Sequence, residues 1–167
     1  MKNLNKSSWL ALILIAAATP AAADPRIASP NDSTCARGGS PAVLVHVVGL
    51  KNGAGTVRVQ AYGPGGASFL QKGKWAARVD VPAGGRRDFD VCLPLPAAGD
   101  YAIAVRHDAN ANKKSDWNDG AGFSHNPKLS ILGRPKFAQT AVPVQRGTTR
   151  LSVMMNYRSG LTVGPVG

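Results

Sequence analysis

Tyr101-Ala102-Ile103-Ala104-Val105-Arg106-His107-Asp108 decides the fold class, because its side chains alternate with a period of two. Successive side chains of an extended chain point to opposite faces, so Tyr101, Ile103, Val105 and His107 share one side. A strand with one apolar face needs a second layer to cover it. No helical period of any length appears in the residues that flank it.

The same alternation recurs in both directions. Thr56 to Tyr62 places Val57, Val59 and Ala61 on one face and Arg58 and Gln60 on the other. Ala42 to Leu50 is nearly all Val and Leu, as in a strand buried on both faces, with His46 as a core or interface histidine. The turn between these two, Lys51-Asn52-Gly53-Ala54-Gly55, tolerates the positive φ that a hairpin needs. After the break at Gly63-Pro64-Gly65-Gly66, a weaker strand covers Trp75 to Val81. The turn Pro82-Ala83-Gly84-Gly85 leads into Asp88 to Leu93, with Phe89, Val91 and Leu93 inward and Asp88, Asp90 and Cys92 outward. Phe137 to Val144 and Thr148 to Tyr157 complete seven strands. Short strands punctuated by Gly, Pro and Asn predict an all-β fold, a single seven-stranded antiparallel sandwich over 41–158.

The N-terminus reads differently. Lys2 and Lys6 precede an apolar run of about ten residues, Trp9 to Ala18, and Ala21-Ala22-Ala23 follows. These are the parts of a secretory signal peptide over 1–23, with cleavage before Asp24. A bilayer span needs roughly 20 apolar residues, so the run is too short for an anchor, and no second one follows. The expected destination is periplasmic or secreted, with no transmembrane anchor after cleavage.

Cleavage leaves 144 residues, the size of one domain, in which 18 basic residues face nine acidic ones, all aspartate. A net charge near +9 outside the cytosol favours anionic envelope lipid or acidic glycan as partner. Nucleic acid is not expected, since the chain has ten aromatic residues and no RNA-binding strand signature. An evenly basic, soluble surface explains the same charge. Cys35 and Cys92 are expected to pair in an oxidising compartment, closing a loop of about 57 residues and stabilising the fold by roughly 4 kcal/mol. The pair ties the segment 24–40 across the outer surface of the sandwich. The tail over 159–167 lacks apolar ballast and is expected to fray.

Between Asp108 and Arg134 about 26 residues carry no strand pattern, far beyond the usual 4–6 of a connection. Leaving Trp117, Phe123, Ile131 and Leu132 in water would cost roughly 1.5–3 kcal/mol each, so an ordered loop packed over one end is expected. Within it, Asp108, Asn110, Asn112, Asp116 and Asp119 reproduce positions 1, 3, 5, 9 and 12 of a calcium loop, with the Lys114 carbonyl at position 7. Two places depart from that pattern: Lys113 replaces the glycine of position 6, and Asp119 is shorter than the usual glutamate. Calcium held weakly by these six residues is one reading. A loop held by Asx-turns is the other.

His107, Ser124, His125 and Asp116 are the candidates for chemistry. A Ser–His–Asp hydrolase using His107 or His125 as base would need Ser124 on an activated turn. Gly122-Phe123-Ser124-His125-Asn126-Pro127 is not such an elbow. No pair of histidines has the spacing of zinc ligands. A binding or accessory module is therefore expected ahead of an enzyme. His107, Trp117, Phe123, Ser124 and His125 are its functional-loop residues.

The segment Tyr101 to Asn112, then Gly122-Phe123-Ser124 and Arg134-Pro135-Lys136-Phe137, resembles the bacterial secreted proteins grouped as domain-of-unknown-function family 2141. Gly49-Leu50-Lys51-Asn52 and Gly55-Thr56-Val57-Arg58-Val59 look like the start of that domain, so the likeness runs from about Val43 to Tyr157. It implies an exported seven-stranded sandwich, similar to transthyretin-like or immunoglobulin-like domains, and implies no reaction. Lys113 and Ser115 stand where the family has Gly and an aliphatic residue, and His125 where it tends to have Asn.

Overall fold

A computed structural model describes residues 32–166. The expected signal peptide and its cleavage site lie outside the described residues. Among the described residues, no helix is long and apolar enough to cross a membrane.

The sandwich is present, built from two sheets. The smaller contains β1 (Ala42–Val48), β4 (Phe89–Pro94) and β8 (Thr148–Met154) in the order β4-β1-β8. The larger contains β2 (Thr56–Tyr62), β3 (Ala77–Pro82), β5 (Gly99–Asp108), β6 (Gly120–Phe123), β9 (Asn156–Ser159) and β10 (Thr162–Gly164), ordered β10-β9-β6-β5-β2-β3. In the same sheet β7 (Ala141–Val144) pairs with the first half of β5. Alternation delivers the core as expected. Val43, Val45 and Val47 meet Phe89, Val91 and Leu93 in one layer, opposite Val57, Val59, Ile103 and Val105 in the other.

Among the described residues, ten strands stand where seven were expected, and one pair is not antiparallel. β1 and β8 run parallel, Ala42 opposite Thr148 through Val48 opposite Met154. The expected strand Thr148 to Tyr157 breaks because the Met155 N–H donates to the Val48 carbonyl at 2.9 Å. There the chain leaves one sheet and enters the other. Phe137–Thr140 is a helical turn (α2) rather than strand, closed by the Thr140 hydroxyl on the Phe137 carbonyl at 3.0 Å. The tail beyond Ser159 forms β10, and Val166 packs against the core.

Within the long connection, Gly120–Phe123 forms an additional strand that periodicity could not reveal. Its glycines serve close packing: a Cβ at Gly120 would collide with the Tyr157 ring, and one at Gly122 would lie 2.5 Å from Val153 Cγ1.

Cys92 does point away from the main core, yet it is fully buried. The short helix α1 (Asp32–Arg37) lies over it, and Cys35, Ala42, Leu44 and Cys92 form a second apolar cluster. The Cys35–Cys92 disulfide, spanning 57 residues, fastens that helix to β4. Replacing both cysteines by serine should lower stability to denaturant by about 4 kcal/mol. It should also release the 32–40 segment to amide exchange while β2 and β5 stay protected. Uniform loss of protection would show that the crosslink holds the whole sandwich.

Candidate functional site

β5 ends where the long loop begins, and its last residues face opposite ways. His107 points inward and is fully buried. Its Nε2–H donates to the Ala54 carbonyl at 2.8 Å, which leaves Nδ1 to accept from the Tyr157 hydroxyl at 2.6 Å. The Tyr157 oxygen in turn accepts the Lys51 N–H at 3.1 Å. Burial pushes the imidazole below its ordinary pKa, against the opposing effects of the Ala54 carbonyl and Asp119. Burial likewise raises the Tyr157 hydroxyl. With both nitrogens committed, His107 holds β5 to β9 and the β1–β2 turn.

Arg106 points outward into the loop. Its guanidinium lies 3.0 Å from Asp119 Oδ2 and 3.4 Å from Asp108 Oδ2, and it also donates to the Lys114 carbonyl. The other donors predicted for calcium are engaged with the loop itself. Asp108 accepts the N–H groups of Asn112 at 3.1 Å and Lys113 at 2.8 Å. Asp116 Oδ2 accepts the side-chain amides of Asn110 at 3.0 Å and Asn112 at 2.7 Å, while its Oδ1 accepts the Asn118 N–H at 2.9 Å. Those three bonds, the backbone one foremost, hold the Asp116 carboxyl below the usual range. Asn110 and Asn112 cap nearby N–H groups in Asx-turns. All six predicted ligands are thus brought together. Three of them, Asp108, Asp119 and the Lys114 carbonyl, meet on a guanidinium, the other three bond within the loop, and among the described residues no group of three His, Cys, Asp or Glu is arranged to hold a metal ion. The donor set as it stands does not fit calcium.

The residues predicted for hydrolysis are separated. Ser124 is buried at the end of β6, where its Oγ accepts the Ile103 N–H at 3.0 Å and donates to the Thr140 carbonyl. It bridges strands and carries no activated hydroxyl. His125 is exposed and bonded to the Ala141 carbonyl at 3.0 Å. The histidine that does meet a carboxylate is His46, whose Nδ1 lies 2.6 Å from Asp90. It is half exposed on the outer face of the small sheet, so of the two expected places, core or interface, the core is not the one it takes. Ser152 lies opposite it on β8, but no hydrogen bond joins that hydroxyl to the imidazole.

The loop residues instead wall a cleft of about 610 Å³ on the outer face of the large sheet. Tyr62, Phe123, Leu70 and Leu129 supply an apolar floor, continuous with the cluster that includes Phe69 and Phe137. Phe123 is buried as expected, but Trp117, Ile131 and Leu132 are not: they are 71%, 38% and 94% exposed. The loop's backbone is satisfied internally by Asp and Asn side chains, so it stands over the sheet without burying these groups. Arg158 lies over the Trp117 ring, 3.2 Å from its centroid. Neither Arg106 nor Arg158 carried a signal in the sequence, since exposed strand arginines are common.

Fold and site together define a small, disulfide-linked β-sandwich with an arginine-centred loop beside an amphipathic cleft. The chain belongs to the family described as an uncharacterized protein conserved in bacteria (DUF2141), whose model matches residues 45–152. No curated protein and no solved structure matches it.

The His107 environment has a pH consequence. Its folded pKa lies below the unfolded value near 6.5, so the unfolded chain takes up the proton first. This contribution to stability is complete above about pH 6.5 and is lost as pH falls towards the folded pKa. Denaturant midpoints should therefore decline between about pH 7 and pH 5, before the carboxylates titrate. In His107→Gln, less stable throughout, that decline should flatten. Parallel profiles for the two proteins would show that another group is responsible.

Proposed function

We propose that this protein is an exported binding module of the cell envelope, whose working surface is the cleft beside the 108–134 loop and whose ligand is an anionic amphiphile. The observation that carries this reading is the exposure of Trp117 on the wall of a cleft with an apolar floor. Ligand sites are mostly apolar concavities of roughly 300–1,000 Å³ with a few placed polar groups, and this cleft lies within that range.

Trp117 lines the cleft, and two further exposed apolar side chains, Leu132 and Leu161 at 94% and 80%, belong to segments whose neighbouring residues Ile131, Gly133, Arg158 and Val163 line it. Arg134 and Arg158 line the same cleft, while Lys113, Lys114 and Lys128 lie in the same loops. Apolar tips backed by cations suit a surface of anionic headgroups over acyl chains. An acidic glycan would satisfy the cations but leave Leu132 and Leu161 without a role. Export is supported by the signal-like N-terminus and by the disulfide. Calcium is not needed in this reading.

Co-sedimentation with vesicles tests it, using phosphatidylglycerol against phosphatidylcholine. Binding should favour the anionic vesicles and persist in part at about 0.5 M salt, where screening acts within roughly 5 Å. Trp117→Ala with Leu132→Ser should weaken it about tenfold or more, given roughly 1.5–3 kcal/mol for each large apolar group. Complete loss with salt, together with unaltered binding by the double variant, would reduce the interaction to net charge. Binding to polygalacturonate but not to vesicles would assign the cleft to glycan.

A further inference from the structure

The 108–119 loop keeps the bend of an ion-binding loop while the ion's place is taken by a side chain. Lys113 stands at the position that in a calcium loop is glycine, and it adopts the left-handed conformation glycine would supply, with φ at +63°. A lysine in this region is strained and persists only where its surroundings impose it. Here the Asp108 carboxylate accepts its N–H at 2.8 Å. The carboxylates at the first and last loop positions, Asp108 and Asp119, converge with the Lys114 carbonyl on one point. That point is the Arg106 guanidinium.

Arg106 reaches the loop from β5, two residues before the first loop ligand, and it brings one positive charge where calcium would bring two. The compensation is incomplete in one respect. Asp119 is almost fully buried, yet its Oδ1 has no hydrogen-bond partner among the described residues. At the last position of a calcium loop both carboxylate oxygens bind the ion. Arg106 places both Nε, at 3.1 Å, and a terminal nitrogen, at 3.0 Å, on Oδ2 instead of forking across the two oxygens, so Oδ1 is left over. The orphaned oxygen marks a contact that a calcium ion would make and Arg106 does not.

We propose that Arg106 is a resident substitute for a divalent cation, and that removing its guanidinium uncovers a hard-cation site formed by Asp108, Asp119 and the Lys114 carbonyl. Oxygen donors of this kind select calcium or a lanthanide over softer metals. The inference does not depend on what the neighbouring cleft binds.

The test compares the protein with Arg106→Ser and Arg106→Gln, following thermal melting with calcium or with chelator. Terbium luminescence sensitised by Trp117, which lies within the loop, provides the second readout. The unaltered protein should melt at the same temperature in millimolar calcium and in chelator, and should give no terbium signal. Arg106→Ser should melt lower in chelator, recover part of the loss in calcium, and bind terbium. The affinity expected is that of extracellular modules, about 10⁻⁴–10⁻³ M. Adding Asp119→Asn to Arg106→Ser should abolish both gains. If Arg106→Ser folds only with calcium present, that dependence is the same result. Arg106→Gln, which keeps a neutral donor to the carboxylates, then supplies the folded comparison. The proposal fails if the unaltered protein responds to calcium or terbium. It fails equally if the folded Arg106 variants respond to neither.

Discussion

β5 is hydrogen-bonded along both edges, and this double pairing is the constraint from which the rest of the molecule follows. β2 pairs with it from Thr56 opposite Asp108 to Tyr62 opposite Ala102. On its other edge β7 covers Gly99 to Ala102 and β6 covers Ala104 to His107. A strand held on both sides cannot slip by one residue without exchanging its two faces. Here such a slip would put the Arg106 guanidinium into the core and expose the His107 imidazole. Desolvating an unpaired charge makes that alternative far costlier than the native register.

Fixing the register fixes two polar networks on opposite sides of one backbone. Inside, His107, Tyr157 and the Ala54 carbonyl link β5 to β9 and to the β1–β2 turn. Outside, Arg106 lies directly opposite Arg58 on β2, a like-charge pairing that normally destabilises a sheet. The structure tolerates it because each of the two guanidiniums is paired with a carboxylate on its own side. Arg106 has Asp108 and Asp119; Arg58 shares Asp80 with Arg78, at 2.6 Å from each. Burial alone would raise the Asp80 pKa, but the two arginines hold it below its ordinary value. Arg58, Arg78 and Arg106 on the outer face of the large sheet are thus met by Asp80, Asp108 and Asp119.

Alternation made the interior legible from the sequence. Val57, Val59, Phe89, Val91, Ile103 and Val105 all lie where a period of two puts them. So was the crosslink, since two cysteines allow only one pairing. What period two could not convey lies where the chain obeys another rule. Gly120–Phe123 is a strand because Tyr157 and Val153 press against its glycines, a tertiary contact without local signature. Thr148 to Tyr157 alternates without interruption, yet it changes sheets at Met155, and crossing between layers leaves the pattern intact. The loop's six oxygen-bearing positions were visible in their spacing, and three of them, Asp108, Asp119 and the Lys114 carbonyl, meet on one side chain. Their occupant was not visible, because Arg106 precedes the pattern and reads as an ordinary outward-facing strand residue. His46 shows the reverse limit: alternating with valines suggested burial, whereas the outer face of the small sheet is covered by helix α1 only around Leu44 and Cys92.

The exposure of the rim follows from how the loop holds itself together. Asp108 and Asp119 pair with Arg106, while Asn110, Asn112 and Asp116 bond to one another and to the loop's own backbone, so the loop's polar groups are largely engaged within it. Lys51 fastens the far end by donating to the Asn118 carbonyl at 3.1 Å. With its polar groups facing inward, the segment presents Trp117 outward, and the neighbouring turns present Leu132 and Leu161. The three tips come from positions far apart in the chain, so their spacing is set by the sheet beneath them, through β6, β9 and β10. The same pairing that keeps Arg106 in the loop therefore also keeps the rim in shape.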